Sequence, residues 1–258
     1  MRALHLGLRA IMTLCLTGLS FSGSHARASF STPYINTFNT ADKTNDFVYG
    51  MSPGSKSNYI TWAWAAGGYH YNYLNGSGAG STLFGWATLD FSGLGGVQAP
   101  AHDFDMTAIV RAKHVVATTT NRPGGYQGFC ALSTDTNLTD YYYGSFYFTN
   151  VVGTLQITKI TGGVAGLTAT QALTIAFDRD KYYGVRLQGV HQRRQLTLTL
   201  HVWDGPATNS VSLTDPSPLE GGYFGYRNCN NNGSTYFWWD NLVVTAQESG
   251  KGTIFILR

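Results

Sequence analysis

The sequence predicts an all-β protein, an antiparallel two-sheet β-sandwich of the jelly-roll kind. Three observations predict it: apolar residues recur with period two, no stretch carries an amphipathic helical period, and turn-forming clusters interrupt the chain at short intervals. Many short strands without intervening helices bury their apolar faces by stacking as two sheets. The composition agrees, with 31 Gly and 14% aromatic residues, while 12% charged residues and a formal charge of +3 exclude a disordered chain. A length of 258 residues suits one β-rich domain.

The first 28 residues have the layout of a secretory signal. Arg2 and Arg9 precede an apolar run from Ala10 to Leu19, and Ala26-Arg27-Ala28 offers a small-x-small cleavage site. The run is too short to span a bilayer, and Met12 and Leu14 fit a lipobox before Cys15 poorly. The expected organisation is a signal peptide at 1–28 and one domain at 29–258, secreted or periplasmic. Loss of Arg2, Arg9 and Arg27 leaves 14 basic against 14 acidic residues. That removes the electrostatic case for a nucleic-acid or anionic-membrane partner. Cys130 and Cys229 remain, and an oxidising compartment favours a disulfide between them, with two separate buried thiols as the alternative.

Along the mature chain, 103–116 alternates Phe104, Met106, Ala108, Val110 and Ala112 with Asp105, Thr107, Arg111 and Lys113. Likewise 195–203 sets Leu196, Leu198, Leu200 and Val202 against Thr197, Thr199, His201 and Trp203. Further strands are expected at 58–65, 82–91, 125–133, 141–149, 154–161, 170–177, 181–189, 223–229 and 235–245. Turns are expected at 121–125, 204–206 and 230–233, and a mobile Gly-rich loop at 75–81.

The succession Asp103-Phe104-Asp105-Met106-Thr107-Ala108-Ile109-Val110-Arg111, Tyr141-Tyr142-Tyr143, Lys181-Tyr182-Tyr183-Gly184-Val185-Arg186-Leu187 and Leu198-Thr199-Leu200-His201-Val202-Trp203-Asp204-Gly205 leads to a distinctive ending. It runs Gly222-Tyr223-Phe224-Gly225-Tyr226-Arg227-Asn228, then Tyr236-Phe237-Trp238-Trp239-Asp240-Asn241. Over about residues 36 to 245 this order resembles the concanavalin A-like lectin/glucanase superfamily, in its laminin-G-like form common in secreted bacterial proteins. The resemblance implies a concanavalin A-like jelly roll, and contact with carbohydrate or another extracellular polymer only loosely, because the fold hosts lectins, glycosidases, lyases and adhesion modules. In this family the first strand often returns beside the last. A structural calcium ion is then possible, with Asp240 near Asn36, Asn39 or Asp42, and the alternative is that Asp240 caps backbone donors.

Retaining glycosidases on this fold place two carboxylates in a Glu-x-Asp-x-x-Glu strand. The only glutamates are Glu220 and Glu248, outside any such spacing. Asp103 and Asp105 share a strand face but read as an exposed strand start, and Asp178 and Asp180 read as a turn. No nucleophile elbow, zinc-protease helix or Cys/His cluster is present. A lyase needs less, and Tyr143, His201, Arg111 and Arg186 supply the residue types without the lyase families' strand motifs.

Parity in 141–149 sets Tyr141, Tyr143, Ser145 and Tyr147 opposite Tyr142, Phe146 and Phe148, and Arg111, Tyr182, Arg186, His201 and Trp203 point outward from their strands. Aromatic planes and guanidinium forks are what sugars need. Arg111, Tyr141, Tyr143, Tyr147, Arg186 and His201 are therefore the expected ligand residues, with cross-strand stabilisation as the alternative. An outward Tyr143 implies that Tyr143→Ala costs binding more than stability, the reverse of Leu198→Ala. The expected function is a secreted, non-catalytic glycan or extracellular-polymer binder; the alternatives are a lyase or hydrolase on the same fold, or a structural adhesion protein.

Overall fold

The computed structural model describes residues 34–51, 60–65, 69–75, 83–89, 101–114, 125–148, 153–176, 178, 180–230 and 234–248. The expected signal peptide, the Gly-rich loop past residue 75 and the turns at 121–124 and 231–233 lie outside the described residues.

Fifteen strands form among the described residues: β1 (Tyr34–Asn36), β2 (Phe47–Met51), β3 (Ile60–Ala65), β4 (Tyr69–Asn75), β5 (Leu83–Leu89), β6 (Ala101–His114), β7 (Gly125–Ser133), β8 (Tyr141–Phe148), β9 (Gly153–Thr161), β10 (Val164–Leu173), β11 (Tyr183–Gln192), β12 (Gln195–Asp204), β13 (Ala207–Asp215), β14 (Tyr223–Asn230) and β15 (Ser234–Glu248). One sheet has eight strands, ordered β13-β12-β11-β6-β15-β4-β3 with β1 beside β15; the other has seven, ordered β10-β9-β8-β7-β14-β5-β2. All the pairings are antiparallel. This is the expected two-sheet sandwich, and the first strand does return beside the last, with Asn36 opposite Leu242.

The core forms where the alternation predicts it. Phe104, Met106, Ala108 and Val110 of β6 and Leu196, Leu198, Leu200 and Val202 of β12 are buried against Phe129, Tyr142, Phe146 and Leu155 of the other sheet. Gly144 sets the spacing at one point, because a Cβ there would meet Leu187 of the facing sheet at 2.8 Å. Tyr142 crosses the core to donate a 2.5 Å hydrogen bond to Asp215 on β13, which also takes Lys159 Nζ at 2.8 Å. Burial works against the Asp215 charge, but Lys159 and Tyr142 outweigh it and hold the carboxyl below its usual range.

A second polar contact bridges the sheets at β4. Tyr49 Oη donates to the Thr44 carbonyl at 2.6 Å, so the 3.2 Å contact with His70 Nε2 has the imidazole as donor. His70 Nδ1 then accepts from Tyr226 Oη. The neutral ring sits among Phe38, Phe47 and Trp62, and burial lowers its pKa to about 3.

Four of the strands, β1, β2, β4 and β13, are not among those expected from the sequence, and β10 begins at Val164 rather than at residue 170. In β4 the inward positions are His70, Leu74 and Asn72. Two polar residues out of three conceal the apolar alternation that marks a buried face. The 204–206 turn forms as expected, with Gly205 at φ +56°.

Candidate ligand-binding faces

The outward surface of the eight-stranded sheet carries an aromatic ladder. Trp238 of β15 stands in register with Arg111 of β6 on one side and Tyr71 of β4 on the other, and Tyr236 stands beside Tyr73. The ring centroids of Tyr73 and Tyr236 lie 4.5 Å apart and those of Tyr236 and Trp238 5.4 Å apart, each pair tilted by 24°. Arg111 extends the row: its guanidinium carbon lies 5.1 Å from the Trp238 ring centre and 5.3 Å from that of Tyr182. Asp180 fixes it with a 2.9 Å ion pair. Tyr182 is 37% exposed. One row along, Trp203 lies flat across Gly184, where a Cβ would meet the indole at 1.9 Å, so only glycine permits that pose. Period-two strands explain why these rings share one face.

Beside the ladder, Arg186 holds Asp105 through both carboxylate oxygens, and His201 is its register neighbour on β12. Burial, then the Arg186 charge, lower the His201 pKa and favour the neutral imidazole. Asp103 accepts the His191 amide at 2.7 Å. Asp178 Oδ1 accepts the Asp180 amide at 2.9 Å, the turn expected there.

The expected ligand set does not assemble. Arg111, Arg186 and His201 lie on the outer face of the eight-stranded sheet, whereas Tyr141, Tyr143 and Tyr147 lie on β8 of the seven-stranded sheet, facing the opposite way. The same separation breaks the lyase set, since Tyr143 cannot meet His201, Arg111 or Arg186 across the sandwich. Nor are the tyrosines an open platform. Tyr141 and Tyr143 are 4% and 8% exposed, packed with Cys130, Leu138 and Ile160 in a second apolar layer on the outside of their sheet. Parity read their direction correctly but not what covers them. Tyr143 Oη donates to the Arg227 carbonyl at 3.1 Å, and Tyr147 stacks on Tyr126 with centroids 4.8 Å apart.

The disulfide expectation is corrected too. Cys130 stands opposite Gly225 and Cys229 opposite Tyr126 on the paired strands β7 and β14. Four residues of offset separate them by roughly 13 Å along the strands, beyond the roughly 7 Å Cα separation a disulfide tolerates. The structure leaves them as two separate buried cysteines.

For the calcium expectation, Asp42's side chain lies outside the described residues. Asp240 Oδ1 accepts the Asn241 amide at 2.7 Å and Asn36 Oδ1 the Phe38 amide at 2.8 Å. Among the described residues no three His, Cys, Asp or Glu side chains gather, and no helix is long and apolar enough to cross a membrane.

Tyr71, Tyr73, Tyr236 and Trp238 were absent from the expected set. Their signal was the tyrosines at 69, 71 and 73, spaced by two, facing a strand that alternates Tyr236 and Trp238 with Phe237 and Trp239.

No protein-family model and no curated protein sequence matches the chain. Solved structures do. A legume lectin-like domain from Entamoeba histolytica aligns with a TM-score of 0.51 at 13% identity, covering 81% of this chain and 93% of that one. Basic winged bean lectin with Tn-antigen aligns at 0.54 and 8%, covering 85% and 99%. An endo-1,3-beta-glucanase from Streptomyces sioyaensis aligns at 0.52 and 10%, covering 84% and 96%. With two antiparallel sheets in this order, the fold is a concanavalin A-like jelly roll, the fold of these lectins and this glucanase.

Proposed function

We propose that this protein is a secreted, non-catalytic binder of glycan or a similar extracellular polymer, and that it holds its ligand on the outer face of the eight-stranded sheet. The aromatic ladder carries the reading: three rings stacked in succession, each tilted by 24° from the next at steps of 4.5 and 5.4 Å, continued by Arg111 and Tyr182. Such a strip offers a row of apolar ring edges to the C–H groups of successive sugars, and tyrosine hydroxyls and a planar guanidinium to their hydroxyls. The lectin fold of the winged bean protein supports glycan as the ligand class. Secretion rests on the leader-like 1–28.

A glucanase shares the fold, so hydrolysis is the second reading. Support for a non-catalytic role comes from the aspartates: Asp105 is bound at both oxygens by Arg186, and Asp103 holds the His191 amide. A polysaccharide array tests binding, run beside reducing-end and unsaturated-uronate product assays. Trp238→Ala is expected to weaken polymer binding about five- to thirtyfold, as loss of an aromatic anchor does. Unchanged affinity rejects the ladder, and product release above background rejects the non-catalytic role.

A further inference from the structure

Arg227 lies on the outward side of β14, in register with Trp86 of β5 on one side and Gly128 of β7 on the other. Its guanidinium carbon is 4.1 Å from the Phe84 ring centre, and 5.2 and 5.8 Å from those of Tyr143 and Tyr141. Nη1 donates to Tyr141 Oη, the one hydrogen bond its side chain makes among the described residues. None of the ion pairs among those residues includes it. Arg111 and Arg186, on the other sheet, each hold a carboxylate.

The groups around Arg227 cannot supply the missing charge. Burial pushes the Tyr141, Tyr143 and Cys130 groups well up and Cys229 to about 11, against the downward pull of Arg227 itself, so all four are neutral at neutral pH. A cation drawn out of water among rings, with no anion beside it, is costly. Cation–π contact with Phe84 returns part of that cost. Arg227 is nevertheless half-buried rather than sealed, and its Nε and Nη2 make no hydrogen bond among the described residues, which leaves that edge of the fork for a ligand. Two parallel N–H groups at one edge of a guanidinium match two oxygens of an oxyanion.

From this we infer that Arg227 anchors an anion site on the outer face of the seven-stranded sheet, taking the oxyanion of an acidic sugar, a uronate carboxylate or a sulfate ester. Tyr141 acts as the positioning residue by holding Nη1, leaving the Nε/Nη2 edge for the ligand. Recognition here is by charge and fork geometry, not by stacking, because the neighbouring tyrosines are covered. The site faces away from the aromatic ladder and does not depend on it.

Affinity electrophoresis of the full chain in gels containing polygalacturonate, dextran sulfate or neutral dextran tests the site. The expected result is retardation in at least one charged gel and none beyond that seen in dextran for Arg227→Met, whose dissociation constant rises at least about tenfold, the loss typical of truncating a hydrogen-bonded charge pair. Polygalacturonate alone assigns a carboxylate, dextran sulfate alone a sulfate ester, and both assign the oxyanion class. Wild-type protein retarded no more by the charged gels than by dextran overturns the proposal, as does equal retardation of wild type and Arg227→Met. Near-ultraviolet circular dichroism reports whether Arg227→Met folds. If it does not, Arg227→Lys decides, since it keeps the charge and loses the fork: unchanged retardation overturns bidentate recognition. Tyr141→Phe, which frees the guanidinium without removing it, is expected to weaken retardation severalfold.

Discussion

The two outer faces of the sandwich carry the same residue types in opposite states. On the eight-stranded sheet Trp238, Tyr236 and Tyr73 are half-buried and stacked in a row, and the arginines among them hold carboxylates. On the seven-stranded sheet Tyr141 and Tyr143 are covered by Leu138 and their neighbours, and Arg227 holds no carboxylate among the described residues. The turn after β7 makes the difference. Thr136 there accepts from Trp86 Nε1 at 3.1 Å and from Thr88 Oγ1 at 3.3 Å, which folds the 134–140 segment back over its own sheet and brings Leu138 onto the tyrosines. Outward direction thus says nothing of exposure until the adjoining turn is placed.

The largest effect expected follows from that covering. Tyr143→Ala removes a buried aromatic and its hydrogen bond to the Arg227 carbonyl, and is expected to destabilise by about 3–5 kcal/mol, as core Phe or Trp truncations do. Trp238→Ala opens no cavity and is expected to cost about 1 kcal/mol or less. Urea unfolding of both variants measures the contrast. Equal losses would mean that the two faces are equally closed, and the comparison would fail.

How far the sequence reveals this contrast depends on which residues carry the signal. Strands such as β6 and β12 are legible because apolar and polar residues alternate along most of their length, with Ile109 and Trp203 the large apolar residues on the outward side. β4 is not, since its inward His70 and Asn72 look polar while being buried, His70 through two tyrosines that come from β2 and β14. The ladder is hidden with it, because its Tyr71 and Tyr73 lie on β4. Arg111, Arg186 and His201 were placed on an outward face by parity, correctly, but parity carries no information about which sheet a strand joins. Parity alone therefore cannot separate Tyr141 and Tyr143 from these arginines. Sheet order, fixed by long-range pairing, is what separates them. The cysteines failed similarly: two thiols in one chain are countable, but their four-residue offset appears only in the register.

Two histidines sharpen the comparison through pH. His70 lies between the sheets and His201 on the open face, and burial is the leading cause of lowered pKa for both, but His70 alone is driven to about 3. Below the ordinary histidine value of about 6.5 the unfolded chain binds a proton that folded His70 refuses. The neutral ring's stabilisation is therefore complete above that value and lost progressively as pH falls toward 3. Between pH 6 and 4 the loss is expected to be roughly 2–3 kcal/mol. The depressed Asp215 carboxyl acts in the same direction at lower pH. Urea midpoints of the wild type, His70→Gln and His201→Gln at pH 7, 6, 5 and 4 separate the two. Only His70→Gln is expected to flatten the acid slope, at the expense of stability at pH 7. An unchanged slope in that variant would mean that the Tyr49–His70–Tyr226 contact accepts a proton without cost, and that the sheets are wet between β4 and β14.

The smallest effect expected is on the open face, where the arginines are paired. Arg186 and Asp105 have side chains 39% and 30% exposed, so water screens their attraction and solvates either partner when the other is removed. A double-mutant cycle with Arg186→Ala and Asp105→Ala is expected to give a coupling of about 0.5–1 kcal/mol, near the upper end for exposed pairs because the contact is bidentate. Raising the salt to about 1 M, where the screening length falls to about 3 Å, is expected to remove most of it. Lys159 and Asp215 provide the internal control, as Asp215 is almost wholly buried and also bound by Tyr142. Their coupling is expected to be larger and to survive salt, because removing one partner leaves a charge that water cannot reach. A coupling at Arg186 that matched the Lys159 pair and resisted salt would show that the outer surface of the eight-stranded sheet is dry around its arginines. The contrast between arginines that hold carboxylates on one side and a half-buried Arg227 that holds none among the described residues on the other would then lose its electrostatic half.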